Sequence, residues 1–139
     1  MNYDKEQDEA AVIEWVRGMF KSMGEGDFDK FCNSCSDTVR VYPPNIKPHI
    51  GMESMKKLIQ PWFETYHMSH EISEITVKID SNTAYAFAQY VDTITPKIGG
   101  DKQVTPNKAI YVLGRESDNS WKATDIIWNR NPPVEATKQ

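Results

Sequence analysis

Between residues 8 and 23 apolar side chains recur at helical spacing. Val12, Trp15, Val16, Met19, Phe20 and Met23 stand at i, i+3, i+4, i+7, i+8 and i+11, which places them on one stripe of a helix. Asp8, Glu9, Glu14, Arg17 and Lys21 lie mostly off that stripe. Gly24 and Gly26 stop the helix, because glycine reaches left-handed end geometry cheaply. Asp27 then offers its carboxylate as the N-cap of a short second helix from Phe28 to Cys35. Thr38-Val39-Arg40-Val41-Tyr42 is rich in β-branched and aromatic residues and predicts a short strand. Pro43-Pro44-Asn45 ends it, since proline cannot donate to a ladder. A loop over 45–51 leads to a third helix from Met52 to Tyr66, with Met55, Leu58, Ile59, Trp62, Phe63 and Tyr66 on its apolar side. Pro61 falls inside it and should kink or break it.

From His70 the period changes to two. Ile72, Ile75, Val77 and Ile79 predict a strand ending at Asp80-Ser81-Asn82, and further strands follow over 83–95, 104–117 and 120–130. Gly99-Gly100-Asp101 and Ser117-Asp118-Asn119-Ser120 carry turn chemistry. Helices followed by consecutive strands mean an α+β fold with an antiparallel sheet. The expected organisation is a single domain over residues 1–139, with a core of about 8–131 and loose ends, the last being the polar tail after Pro132-Pro133.

Composition narrows the function classes. The chain has 139 residues, 39% hydrophobic and 26% charged, with a net charge of −4. That size buries a core without a staple. Acidic and basic residues are interspersed, which argues against nucleic acid as a partner, because a binder needs a basic face to offset phosphate. No apolar run approaches the ~20 residues that span a bilayer, so no membrane partner is expected. The start, MNYDKEQDEAA, is acidic and polar, unlike a signal peptide, and a cytoplasmic location is expected.

Cys32 and Cys35 form a C-x-x-C pair, which can be redox-active or half of a zinc site completed by His67 and His70. The alternative, two small buried residues on the short helix, is preferred, because no second C-x-x-C and no thioredoxin-like βαβ pattern accompanies them. No metal and no cofactor are expected. No H-E-x-x-H, Ser/His/Asp order or phosphate-cradling glycine loop is present.

The element order, together with Gly26-Asp27-Phe28, Val41-Tyr42-Pro43-Pro44-Asn45, Gly51-Met52-Glu53-Ser54-Met55, Asn107-Lys108 and the closing Trp121-Lys122-Ala123-Thr124-Asp125-Ile126-Ile127-Trp128-Asn129, resembles the SnoaL-like and ketosteroid-isomerase-like branch of the nuclear-transport-factor-2-like superfamily. The resemblance covers about residues 8–131. It implies a cone-shaped α+β barrel whose N-terminal helices pack in the concave face of a curved sheet. It implies a pocket, and not one function, since this fold hosts many chemistries.

Strand alternation sorts residues by face. Comparison with the family puts Thr124, Ile126 and Trp128 toward the pocket, with Ala109, Tyr111 and Leu113 on the preceding strand. Ala84, Ala86, Ala88, Tyr90 and Asp92 share a face that is assigned to the pocket. Three alanines below a tyrosine leave room for a ligand, or accommodate Trp15, Trp62 and Phe63. Ketosteroid-isomerase-like members need a carboxylate base, a first-helix tyrosine and an acid donor. The matching positions here are Pro43, Met19 and Tyr111. SnoaL-like cyclases use a final-strand aspartate; the matching position is Ile126, and the adjacent Asp125 should point to the other face. Asp92 remains, as a possible acid/base if buried beside Tyr90 and Tyr111. His49 is placed over the pocket mouth, and His67 and His70 at the end of the third helix.

Tyr85, Phe87, Gln89 and Val91, with Ile110 and Val112, make the second face of the sheet largely apolar too. An antiparallel sheet usually leaves one face polar, so a cover is expected: a second copy, as the resemblance implies, or the C-terminal segment. The leading expectation is a domain that binds a small, mostly apolar molecule as a homodimer, with Tyr42, Trp62, Tyr66, Tyr90, Asp92, Tyr111 and Trp128 lining its pocket. The alternatives are an isomerase, cyclase or hydrolase with Asp92 as acid/base and Tyr111 or Tyr90 donating to an oxyanion, and an assembly module whose pocket is vestigial.

Overall fold

The computed structural model of the protein describes residues 4–131; the expected loose tail after residue 131 falls outside them, whereas at the other end Lys5, Glu6 and Gln7, expected to be loose, belong to the first helix, which Asp4 caps. Helix α1 spans Lys5–Gly24, α2 Phe28–Asn33 and α3 Met52–Thr65; strands β1 to β6 span Cys35–Tyr42, His49–Ile50, Tyr66–Asp80, Thr83–Pro96, Gln103–Arg115 and Trp121–Arg130. Asp4 caps α1 by accepting from the Gln7 amide at 3.1 Å, and Asp27 caps α2 by accepting from the Lys30 amide at 3.1 Å. Gly26, at φ +70°, takes the left-handed turn between the two helices, a conformation that costs glycine little.

The six strands form one curved, open sheet in the order β2-β1-β6-β5-β4-β3. It is mixed: β1 runs parallel to β6, and the other neighbours are antiparallel. The all-antiparallel expectation fails at this one joint because α3 intervenes between β1 and the meander of β3 to β6, so the chain re-enters the sheet at its far edge. One face buries Ala84, Ala86, Ala88, Ala109, Tyr111, Leu113 and Ile126 against Val12, Val16, Met19 and Phe20 of α1 and Met55, Ile59 and Phe63 of α3. This is the α+β class that the pattern predicts, in the cone form that the resemblance implies, with the helices in the concave face.

Several boundaries move, each for a local reason. The second helix ends at Asn33, so Cys32 lies on α2 and Cys35 opens β1; both are buried and unpaired. The loop over 45–51 contains the two-residue strand β2. Helix α3 runs through Pro61 as one element. Pro61 and Lys57, whose carbonyl loses its partner, both face outward, where water replaces the missing bond. Strand β3 begins at Tyr66, which removes Tyr66, His67 and His70 from the helix end where they were expected. β3 slips register between Ile72 and Glu74, so a bulge moves the inward parity from Met68, His70 and Ile72 to Ile75, Val77 and Ile79.

Candidate functional site

A cavity of about 420 Å³ lies between the helices and the sheet. Its walls are apolar: Met19, Phe20 and Met23 from α1, Ile59 and Trp62 from α3, and Met68, Ile126 and Trp128 from the sheet. Trp62 meets Trp128 edge to face at 5.8 Å between centroids, a favoured aromatic geometry. Trp15 does not fill the space. Its indole N–H donates to the Ser34 carbonyl at 3.1 Å while its edge packs on Tyr111 at 5.4 Å.

Of the expected lining set, Trp62, Tyr66, Tyr90, Asp92, Tyr111 and Trp128 face this cavity, and Tyr42 does not. Val41 takes the inward position at 1% exposure, and strand alternation sends Tyr42 to the other face. Thr124 is a second correction. β6 slips against β5 between Val112 and Leu113, so Ala123 and Ile126 point inward and Thr124 sits at the bulge. Its hydroxyl donates to the Val112 carbonyl at 3.2 Å and bonds Asp125 Oδ2 at 3.0 Å. That bulge does not deliver Asp125 to the cavity: Arg40 Nε donates to Asp125 Oδ1 at 2.7 Å on the outer side. His49 pairs with Ser54 at 2.9 Å and is not among the lining residues.

The polar groups gather on β3, β4 and β5. Asp92 Oδ2 accepts from Asn107 Nδ2 at 2.8 Å, and Asp92 Oδ1 is buried without a partner. Burial raises the pKa of this carboxyl, against the opposing pull of the Asn107 bond and the Arg130 charge. Burial, and then the neighbouring Asp92, push the Tyr90 phenol up; burial, and then Tyr90, push Tyr111 well up. Both phenols therefore stay protonated donors. His70 stands opposite Asp92 in the ladder. Its ring packs at 4.7 Å from Phe20 and 5.9 Å from Tyr90. Its Nδ1 is buried without a partner, and burial lowers its pKa to about 4.

His70, Asn107 and Arg130 also line the cavity, where the sequence reading does not place them. Asn107 and Arg130 were legible by parity, two residues from Ala109 and Trp128 respectively. His70 was hidden by starting β3 four residues late. The four positions to which the resemblance assigns chemistry in related proteins, Met19, Pro43, Tyr111 and Ile126, all line the cavity; three are apolar here, and Tyr111 alone carries a polar group. Among the described residues no group of three or more potential ligands is placed to hold a metal, and no helix is long and apolar enough to cross a membrane.

No protein-family model matches the chain, and no curated protein matches it significantly in sequence. Solved structures match it closely in shape. An NTF2-like family protein from Streptomyces avermitilis superposes with a TM-score of 0.84 at 14% identity, covering 94% of this chain and 100% of that one. An NTF2-like superfamily protein from Salmonella enterica gives 0.82 at 11% identity, over 98% and 99% of the two chains. A ketosteroid isomerase-like protein from Erwinia carotovora gives 0.77 at 17% identity, over 89% and 96%. The fold is the one these NTF2-like and ketosteroid isomerase-like structures share.

Proposed function

We propose that the protein binds a small, mostly apolar molecule in the cavity between helices and sheet. The observation that carries this reading is the cavity itself: about 420 Å³, within the range of small-molecule sites, with aromatic walls and a few convergent polar groups. The two tyrosine hydroxyls suit a carbonyl oxygen at the deep end. Titration with 1-tetralone, a compact bicyclic ketone, tests it by calorimetry. One-to-one binding is expected, weakened at least tenfold by Ile126→Phe, which adds bulk to the wall. Binding that Ile126→Phe leaves untouched contradicts the reading.

A second reading rests on the raised pKa of Asp92 beside two protonated phenols. In it Asp92 removes a proton next to a carbonyl held by Tyr90 and Tyr111, the chemistry of an isomerase or cyclase. The carboxyl must then turn one oxygen toward the ligand. Deuterium exchange at C2 of 1-tetralone, followed by NMR, tests it. Exchange that Asp92→Asn slows at least a hundredfold supports it, and no exchange above buffer refutes it.

The exposed faces of Tyr85, Phe87, Ile110 and Ile127, each 37–46% accessible, favour a homodimer through the outer sheet face. The same stripe is what a dimeric assembly module would use. Two thiols left unpaired suit the reducing cytoplasm.

A further inference from the structure

Among the described residues, Arg130 is the only lysine or arginine lining the cavity. It follows Trp128 by two residues on β6 and stands opposite Asn107 in the ladder, so it shares the inward face of both. Among the described residues no carboxylate lies within 4.0 Å of its side chain. It is close enough to lower the Asp92 pKa by its charge without pairing with it. Ile126, opposite Tyr111, lies four residues down the same strand, ~13 Å of backbone. Tyr111 and Arg130 therefore stand toward opposite ends of the cavity, with the apolar walls of Trp62 and Trp128 between them, while Tyr90, opposite Asn107, shares the cross-strand row of Arg130.

We infer that the ligand is an apolar monocarboxylate, its carboxylate on Arg130 at the mouth and its body against Trp62 and Trp128. The inference rests on the cavity being a ligand site. A planar guanidinium matches a planar carboxylate through two parallel hydrogen bonds. Asp92 and Asp101 also line the cavity, and their charges would repel a dianion more than a monoanion, which disfavours a phosphate monoester. A partly enclosed site also strengthens such a pair relative to open water.

The test compares 1-tetralone with 6-carboxy-1-tetralone, the same body with a carboxylate at the far end from the carbonyl. In the wild type at low salt the acid should bind at least tenfold more tightly. Arg130→Gln should bring the ratio to within about twofold of one, while Arg130→Lys, which keeps the charge, should hold it above three. Arg130 is exposed, so these variants should fold. Equal wild-type affinities, or a preference that survives Arg130→Gln, overturn the inference and leave the cavity reading standing. Failure of both compounds to bind overturns the two together.

Discussion

At neutral pH His70 carries no charge, because burial holds its pKa at about 4. In the unfolded chain that pKa returns to about 6.5. Protons therefore bind the unfolded state more readily below pH 6.5, and stability falls as pH drops from there toward 4. The full span is on the order of 3 kcal/mol, an upper figure for a partly accessible ring. Urea unfolding at pH 7 and pH 4.5 should show this loss, and His70→Phe, which keeps the contact with Phe20, should flatten it. Asp92 has the opposite sense. Its folded pKa is raised, so its ionisation costs stability as pH rises through that value. Asp92→Asn should thus gain stability relative to wild type between pH 4 and pH 7; a parallel pair of curves would show that Asp92 is solvated. Neither group was equally visible in sequence. Asp92 followed from counting twos along β4, whereas His70 requires knowing that β3 begins at Tyr66.

Bulges decide which side chains reach the cavity at the scale of the elements. The spacing Ile72, Ile75, Val77, Ile79 already contains the β3 bulge, as a step of three in a run of twos. The β6 bulge left no such mark, because Trp121, Ala123, Ile126 and Trp128 are mixed with Ile127, and so Thr124 was assigned to the wrong face. Helix α1 is tied to the sheet by more than its apolar stripe. Arg115 donates to both carboxylate oxygens of Asp8 at 3.0 and 2.8 Å and lies 4.4 Å over the Trp121 ring. This contact links residues 107 positions apart, which no local pattern reveals. Asp8→Asn should cost about 2 kcal/mol, the usual weight of a charge-assisted bond with little exposure. Chemical denaturation measures it, and a loss under 0.5 kcal/mol would mark the pair as ornamental.

Whole-molecule architecture was the most legible level, since helical and strand periods survive errors of a few residues at each boundary. The parallel joint between β1 and β6 was not legible, because it depends on how α3 returns the chain to the sheet edge. The outer face raises the question of assembly. Phe87 is 39% exposed and Ile127 46%, side by side with Ile110 across three adjacent strands. If this face joins two copies as proposed, the wild type should sediment as a dimer and Phe87→Glu as a monomer in analytical ultracentrifugation; a monomeric wild type, or a variant that stays dimeric, would contradict that interface.

Occupancy of the cavity by a ligand can be read directly from the methionine methyls. Met19, Met23 and Met68 line it, and Met52 does not. In a titration of methyl-labelled protein with 1-tetralone, saturable shifts are expected at Met19, Met23 and Met68 while Met52 stays nearly still. Shifts absent from those three, or strongest at Met52, would contradict the proposed site.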